Sequence, residues 1–129
     1  MTQSDKELLL KDLSARLPYG VKMNHIAENE HSPKTLIGVA KDMITLQGLG
    51  GYEFVDVDHY KPYLFPMSSM TEEQLQYYRW LQCTALDALG NTLYFDCYDS
   101  LDWLNKNHFD YRGLIPKGLA LDATNKNIY

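Results

Sequence analysis

The stretch TLIGVAKDMITLQGLGGYEFVDV, residues 35–57, decides the fold class. Leu36, Ile37 and Val39 make a β-rich run that ends at Lys41-Asp42, a turn-forming pair. Met43, Ile44, Thr45 and Leu46 make a second run, broken by glycines at 48, 50 and 51. Tyr52, Phe54, Val55 and Val57 then begin a third. Apolar runs this short, bounded by turn residues, predict strands joined by hairpins.

Working outward, Val21, Met23 and His25 alternate with Lys22 and Asn24 and predict a further strand, while the polar residues 28–34 read as a loop. On the other side, Tyr63-Leu64-Phe65 lies between Pro62 and Pro66. Proline cannot donate to a ladder, which restricts this piece to a sheet edge. Residues 21–66 are therefore expected to be mainly β, as a small antiparallel sheet or a partly open SH3-like barrel.

Helical patterns flank this region. Ser4 with Glu7 fits a capping box; Leu9 or Leu10, Leu13 and Leu17 follow at helical spacing, with Lys6, Asp12 and Arg16 at polar positions between them, and Pro18 ends the helix. Thr71 with Gln74 forms a second box, backed by Glu72 and Glu73 in the first turn, and predicts a helix over 71–89 that stops at Gly90. Tyr77 and Trp80 fall off its apolar stripe. The run Leu93-Tyr94-Phe95 with Cys97 and Tyr98 reads as extended, and Asp99 or Ser100 caps a third helix over 100–107. Residues 122–129 carry few anchors and are expected to fray. The expected whole is one α+β domain, residues 1–129, with an N-terminal helix, the β region, and two C-terminal helices packed on it.

The densest mixture of residue types is WLNKNHFDYRGLIPKG, residues 103–118. Trp103, Phe109 and Tyr111 bury large areas, whereas His108, Asp110 and Arg112 between them need polar partners. Such a segment is expected to be pinned by tertiary contacts. Trp103, His108, Asp110, Tyr111 and Arg112 form the candidate binding surface: Arg clamps a carboxylate or phosphate, His carries protons, and Tyr stacks or donates. The same residues admit a structural reading, with Arg112 paired to Asp110, Asp102 or Asp99, and with His108 at a helix C-terminus where the dipole favours its positive form.

Other candidates are weaker. His25 and His31, with Glu28 and Glu30, offer imidazole and carboxylate ligands but match no metal spacing. Asp56, Asp58 and His59 suit a cation, although alternation places both aspartates on an outward, solvated face. Gly48-Leu49-Gly50-Gly51 lacks the Lys-Ser/Thr and the following helix of a phosphate loop. No Ser or Cys sits in a nucleophile motif. The reading expects no catalytic residue, metal or cofactor.

Composition sets the remaining bounds. A net charge of −5 with scattered Lys and Arg disfavours non-specific nucleic-acid binding. No run approaches the roughly 20 apolar residues of a membrane span. Cys83 and Cys97 match no metal spacing, Cys83 reading as a small buried hydrophobe, and the expected setting is cytoplasmic. Ten tyrosines suit an interface as well as a half-buried sheet face, leaving self-association open.

KPYLFPMSSMTEEQ (residues 61–74), WLNKNHFDYRGLIPKGLALDA (103–123) and the opening LLLKDLSARLPYGVK (8–22) resemble a family of short proteins from Bacteroides and related bacteria, often carried in prophage or phage-like regions. The resemblance brings no activity or catalytic residue. It implies a cytoplasmic accessory protein of a phage or mobile element, expected to bind a host or phage protein through the 103–112 face. The rivals are a binder of an anionic metabolite or nucleotide, and a hydrolase-like enzyme using His108 with an aspartate.

Overall fold

Thr2 starts the first helix. Its hydroxyl accepts from the Asp5 N–H (3.1 Å) and its own N–H donates to the Asp5 carboxylate (3.3 Å), so the capping box sits two residues before the expected Ser4/Glu7 pair. The computed structural model describes residues 1–27, 32–82, 85–86, 92–93 and 97–129. Helix α1 (Gln3–Arg16) ends in a 3-10 turn over Leu17–Tyr19, where Pro18 forbids continuation. Leu9 and Leu13 are fully buried, and so are Asp12 and Arg16, which lie on the same face at helical spacing. The polar positions expected between the leucines are thus part of the interior.

The strands β1 (Lys22–His25), β2 (Lys34–Ala40), β3 (Met43–Gly48), β4 (Gly51–Asp56) and β5 (Tyr60–Pro66) follow in order. Both predicted hairpins form: Lys41-Asp42 joins β2 to β3, and Leu49-Gly50 joins β3 to β4. Alternation sorts their side chains. Leu36, Ile44 and Leu46 point into the core, whereas Met43, Tyr52 and Phe54 are exposed on the opposite face. Core residues of α1, the sheet and the segment around Leu114 and Leu119 form one cluster.

Helix α2 (Glu72–Gln82) has the expected box, Thr71 N–H to Gln74 at 2.9 Å and the reciprocal bond at 3.2 Å. It stops short of the predicted 89, because Ala85–Leu86 is already a strand (β6) paired antiparallel with Thr92–Leu93 (β7). The expected stop at Gly90 and the Tyr94-Phe95 part of the extended run fall outside the described residues. Helix α3 (Cys97–Lys106) begins three residues before the predicted 100 and takes in Cys97 and Tyr98, which the sequence suggested were extended. Two short strands complete the fold, β8 (Phe109–Asp110) and β9 (Leu121–Asp122).

The α+β class stands, with two corrections inside the sheet. Among the described residues the sheet is open, in the order β4-β3-β2-β1-β5-β8 with β9 also on β5, and no pairing of β4 with β8 closes it into a barrel. It is also mixed: β5 runs antiparallel to β1 but parallel to β8 and β9. The prolines misled the edge assignment, since β5 pairs with all three of these strands. Met23 faces Pro62 one step from Asn24–Lys61. Ile26 N–H donates to His59 C=O two steps further on, so Met23–Pro62 is a pair that exchanges no hydrogen bond. The missing proline donor therefore costs the β1–β5 ladder nothing.

Residues 122–129, expected to fray, touch the sheet through Ala123 and Tyr129. Ala123 is buried and its N–H donates to Leu64 C=O (2.8 Å). Tyr129 goes further: where the β1–β5 register would next pair Lys22 with Tyr63, its hydroxyl stands between them. It accepts from the Lys22 N–H (2.9 Å) and donates to Tyr63 C=O (2.7 Å), an added rung supplied by a side chain. A hydroxyl placed by tertiary structure is an anchor that locally polar composition does not signal.

Tyr129→Phe is expected to lower stability by about 1–2 kcal/mol, since two strand groups lose their partner. Urea denaturation and hydrogen exchange of the Lys22 amide check this. Unchanged exchange at Lys22 would show that the hydroxyl does not act as a rung.

Candidate functional site: the His108 cleft

At the end of α3 the His108 N–H donates to Asn105 C=O (3.1 Å), and His108 takes a left-handed backbone (φ 63) where helices usually place glycine. Its carbonyl then accepts from the Phe65 N–H (2.8 Å), which feeds the chain into β8 beside β5. This geometry turns the imidazole inward. The residue is only 9% exposed, and its ring stacks on Tyr129 with centroids 3.6 Å apart and planes 12° from parallel.

Burial, aided by the positive charge of Arg16, lowers the His108 pKa to about 4. The expected cationic imidazole at a helix C-terminus is therefore corrected: desolvation outweighs the dipole, and the ring is neutral at pH 7. Its Nδ1 is buried without a hydrogen-bond partner among the described residues.

His108 lines a cleft of about 380 Å³ between β5, the start of α2, the end of α3 and the C-terminal residues. Phe65, Phe109 and Tyr129 supply apolar wall. Ser69, Gln74, Lys106, Asn107, Thr124 and Asn125 supply polar groups. The mixture of apolar wall and a few convergent polar groups is that of a small-ligand site, at the low end of the usual size range.

The other residues expected to bind make contacts within the chain. The Asp110 carboxylate accepts from the backbone N–H groups of Leu114 (2.8 Å) and Ile115 (2.9 Å), pinning the loop after β8. Tyr111 donates to the Asn105 side chain (2.8 Å). Trp103 stacks on Phe109 (5.6 Å) and meets Tyr77 and Tyr78 of α2. Arg112 finds none of Asp110, Asp102 or Asp99: its Nε lies 3.3 Å from Asp12, close enough to pair charges though not aligned as a hydrogen bond.

Asp12 is the anion of a buried cluster. Arg16 donates to it from Nε (2.7 Å) and Nη2 (3.2 Å), and the same Nη2 reaches Phe109 C=O (2.6 Å) in β8. Both guanidiniums lie over the Tyr111 ring, at 5.2 Å for Arg16 and 5.1 Å for Arg112. Neither Asp12 nor Arg16 was expected at the site. The signal existed, because Leu9, Asp12, Leu13 and Arg16 fall at i, i+3, i+4 and i+7, the spacing of a buried face.

Elsewhere, Asp56 and Asp58 both hold Lys6, at 3.5 and 3.4 Å. His25 accepts from the Ala27 N–H (3.0 Å), while Glu28, Glu30 and His31 lie outside the described residues. Among the described residues no three His, Cys, Asp or Glu gather as a metal site, and no helix is long and apolar enough to cross a membrane. Compared with protein-family models, with curated proteins and with solved structures, the chain finds no match in any of the three.

Two predictions follow from the buried groups. Asp12→Asn leaves two guanidiniums without their anion and is expected to cost about 3–5 kcal/mol in a denaturation experiment, against about 1 kcal/mol for Arg112→Gln at the cluster's half-exposed end. His108 has a folded pKa below its ordinary 6.5, so the unfolded chain takes up the proton first. Its contribution to stability is full above pH 6.5 and is lost as pH falls from 6.5 toward about 4. Imidazole resonances titrating near 6.5 in the folded protein would contradict that assignment.

Proposed function

We propose that this chain is a non-catalytic binding protein that takes a small ligand in the His108 cleft. One observation carries the reading: a buried, neutral imidazole in a left-handed backbone, its Nδ1 without a partner among the described residues, lines a cleft of ligand size. Backbone strain and an unpaired buried polar atom both cost stability, and such features concentrate where a protein binds something. A neutral His offers one donor and one acceptor, which suits recognition. The hydrolase-like alternative needs His108 oriented by an aspartate, but Asp110 is committed to two backbone amides and Nδ1 has no partner among the described residues. The phage or mobile-element setting implied by the family resemblance belongs to the same proposal, and a cytoplasmic accessory role is compatible with a binder of this kind.

A second reading, a protein partner, is favoured by a different observation. Tyr52 and Phe54 are 70% and 77% exposed side by side on β4, the last strand of the sheet, with Met43 on the same face. Asp110, Tyr111 and Arg112 make contacts within the chain, and this outer sheet face stands beside residues 103–112 as a surface for that reading.

His108→Asn separates the two, because Asn tolerates the left-handed backbone while removing the imidazole. Wild type screened against pooled metabolites by thermal shift is expected to gain stability with at least one pool, and His108→Asn to lose that gain while folding normally. Equal gains in both proteins would end the cleft reading. A partner captured by wild type and lost in Tyr52→Ser with Phe54→Ser would favour the sheet face instead.

A further inference from the structure

Charge around the cleft names the class of ligand. The chain has 17 acidic residues against 12 basic, yet none of the described residues lining the cleft is acidic, and Lys106 stands exposed among them. The first-turn acids of α2, Glu72 and Glu73, are exposed and outside the lining, although their neighbour Gln74 is part of it. Asp110, next but one to His108, points its carboxylate at the Leu114 and Ile115 amides.

The buried cluster adds to this. Asp12 is one carboxylate facing two guanidiniums, Arg16 and Arg112, so the group retains a positive charge. Arg16 Nη1 is buried with no hydrogen-bond partner among the described residues. That charge is felt at the cleft wall, where Arg16 disfavours protonation of His108 and favours the ionised form of Tyr129 against the effect of burial. Field from a buried charge passes through low-dielectric protein with little screening, and a concave surface of one sign concentrates it.

Taking the cleft as a ligand site, we infer that it selects small organic anions, a carboxylate or phosphate head on a compact apolar body. Lys106 and the side-chain amides and hydroxyls meet the head; Phe65 and Phe109 meet the body. A cationic ligand would face Lys106 and the cluster with no carboxylate to receive it. A neutral ligand would find the same shape but no charge contribution.

The test uses the ¹⁵N-labelled full chain and four probes that share one ring: phenylacetate, phenyl phosphate, phenylacetamide and benzylamine. Amide shifts at Asn107, His108, Thr124 and Asn125 report occupancy. At least one anion is expected to bind about tenfold or more tighter than phenylacetamide, with benzylamine weakest. Lys106→Gln, at an exposed position that leaves the fold alone, is expected to bring that anion close to the amide. Phenylacetamide or benzylamine binding as tightly as either anion would overturn the anion assignment and leave the cleft as a ligand site. An unchanged anion preference in Lys106→Gln would overturn the role given to that lysine. Silence from all four probes at those amides would remove the site itself.

Discussion

The interaction on which the rest depends is the contact of Arg16 with Asp12 and with the Phe109 carbonyl. Both side chains are fully buried, and a charge taken out of water is tolerated only when it is paired and hydrogen-bonded. Arg16 meets that demand by joining the end of α1 to β8, 93 positions further along the chain. The pairing fixes where β8 lies, hence where α3 ends, hence the backbone turn at His108. A hydrophobic residue at position 16 would fill the same space without dictating that alignment. The ion pair thus acts as a register device between the two ends of the chain, a role better attested for buried charges than net stabilisation.

A second chain of contacts builds the cleft on this frame. Rings run from exposed Trp80 through Tyr77, Trp103, Phe109 and Phe65 to Tyr129 and His108, each step between 3.6 and 6.2 Å. Aromatic pairs of this kind add roughly 0.5–1.5 kcal/mol each beyond the area they bury. They hold α2 and α3 against β5 although α2 places much of its aromatic surface in solvent. Tyr129 closes the series. Its ring covers His108 while its hydroxyl completes the β1–β5 ladder, so the residue that shapes the cleft wall is tied into the sheet itself.

How much of this could be read from the residues follows from the range of each interaction. Thr71 with Gln74, Lys41-Asp42 and the glycines at 48, 50 and 51 act within a few positions, and the elements they predict are present. Pro62 was read as a local veto, but whether a missing N–H matters depends on which rung faces it, and that is set by pairing with β1. The parallel strands β8 and β9 are two residues each and carry no periodic signal. Their partners lie more than forty positions away. At the site, the 103–118 segment was rightly seen as pinned, yet its partners are in α1 and in the last residue, so composition alone could not separate His108, which lines the cleft, from Asp110 and Arg112, which do not. Asp12 and Arg16 are visible as an i, i+4 pair on a leucine face, and that spacing is the signal of their burial.

The burial of His108 is what a purely structural account explains least well. A left-handed non-glycine residue costs about 1–2 kcal/mol, and an unpaired buried polar atom about 1–3 more. Against a net stability of about 5–15 kcal/mol for a domain, that is a large local expense. Glycine would relieve the backbone, and asparagine would keep a polar side chain with less strain. Neither would present a flat ring to Tyr129 at the cleft wall. The absence of carboxylates among the described lining residues and the surplus guanidinium beneath the cleft are separate observations that point to the same proposed anion. His108 adds a neutral ring that can meet the rest of such a ligand without carrying its charge.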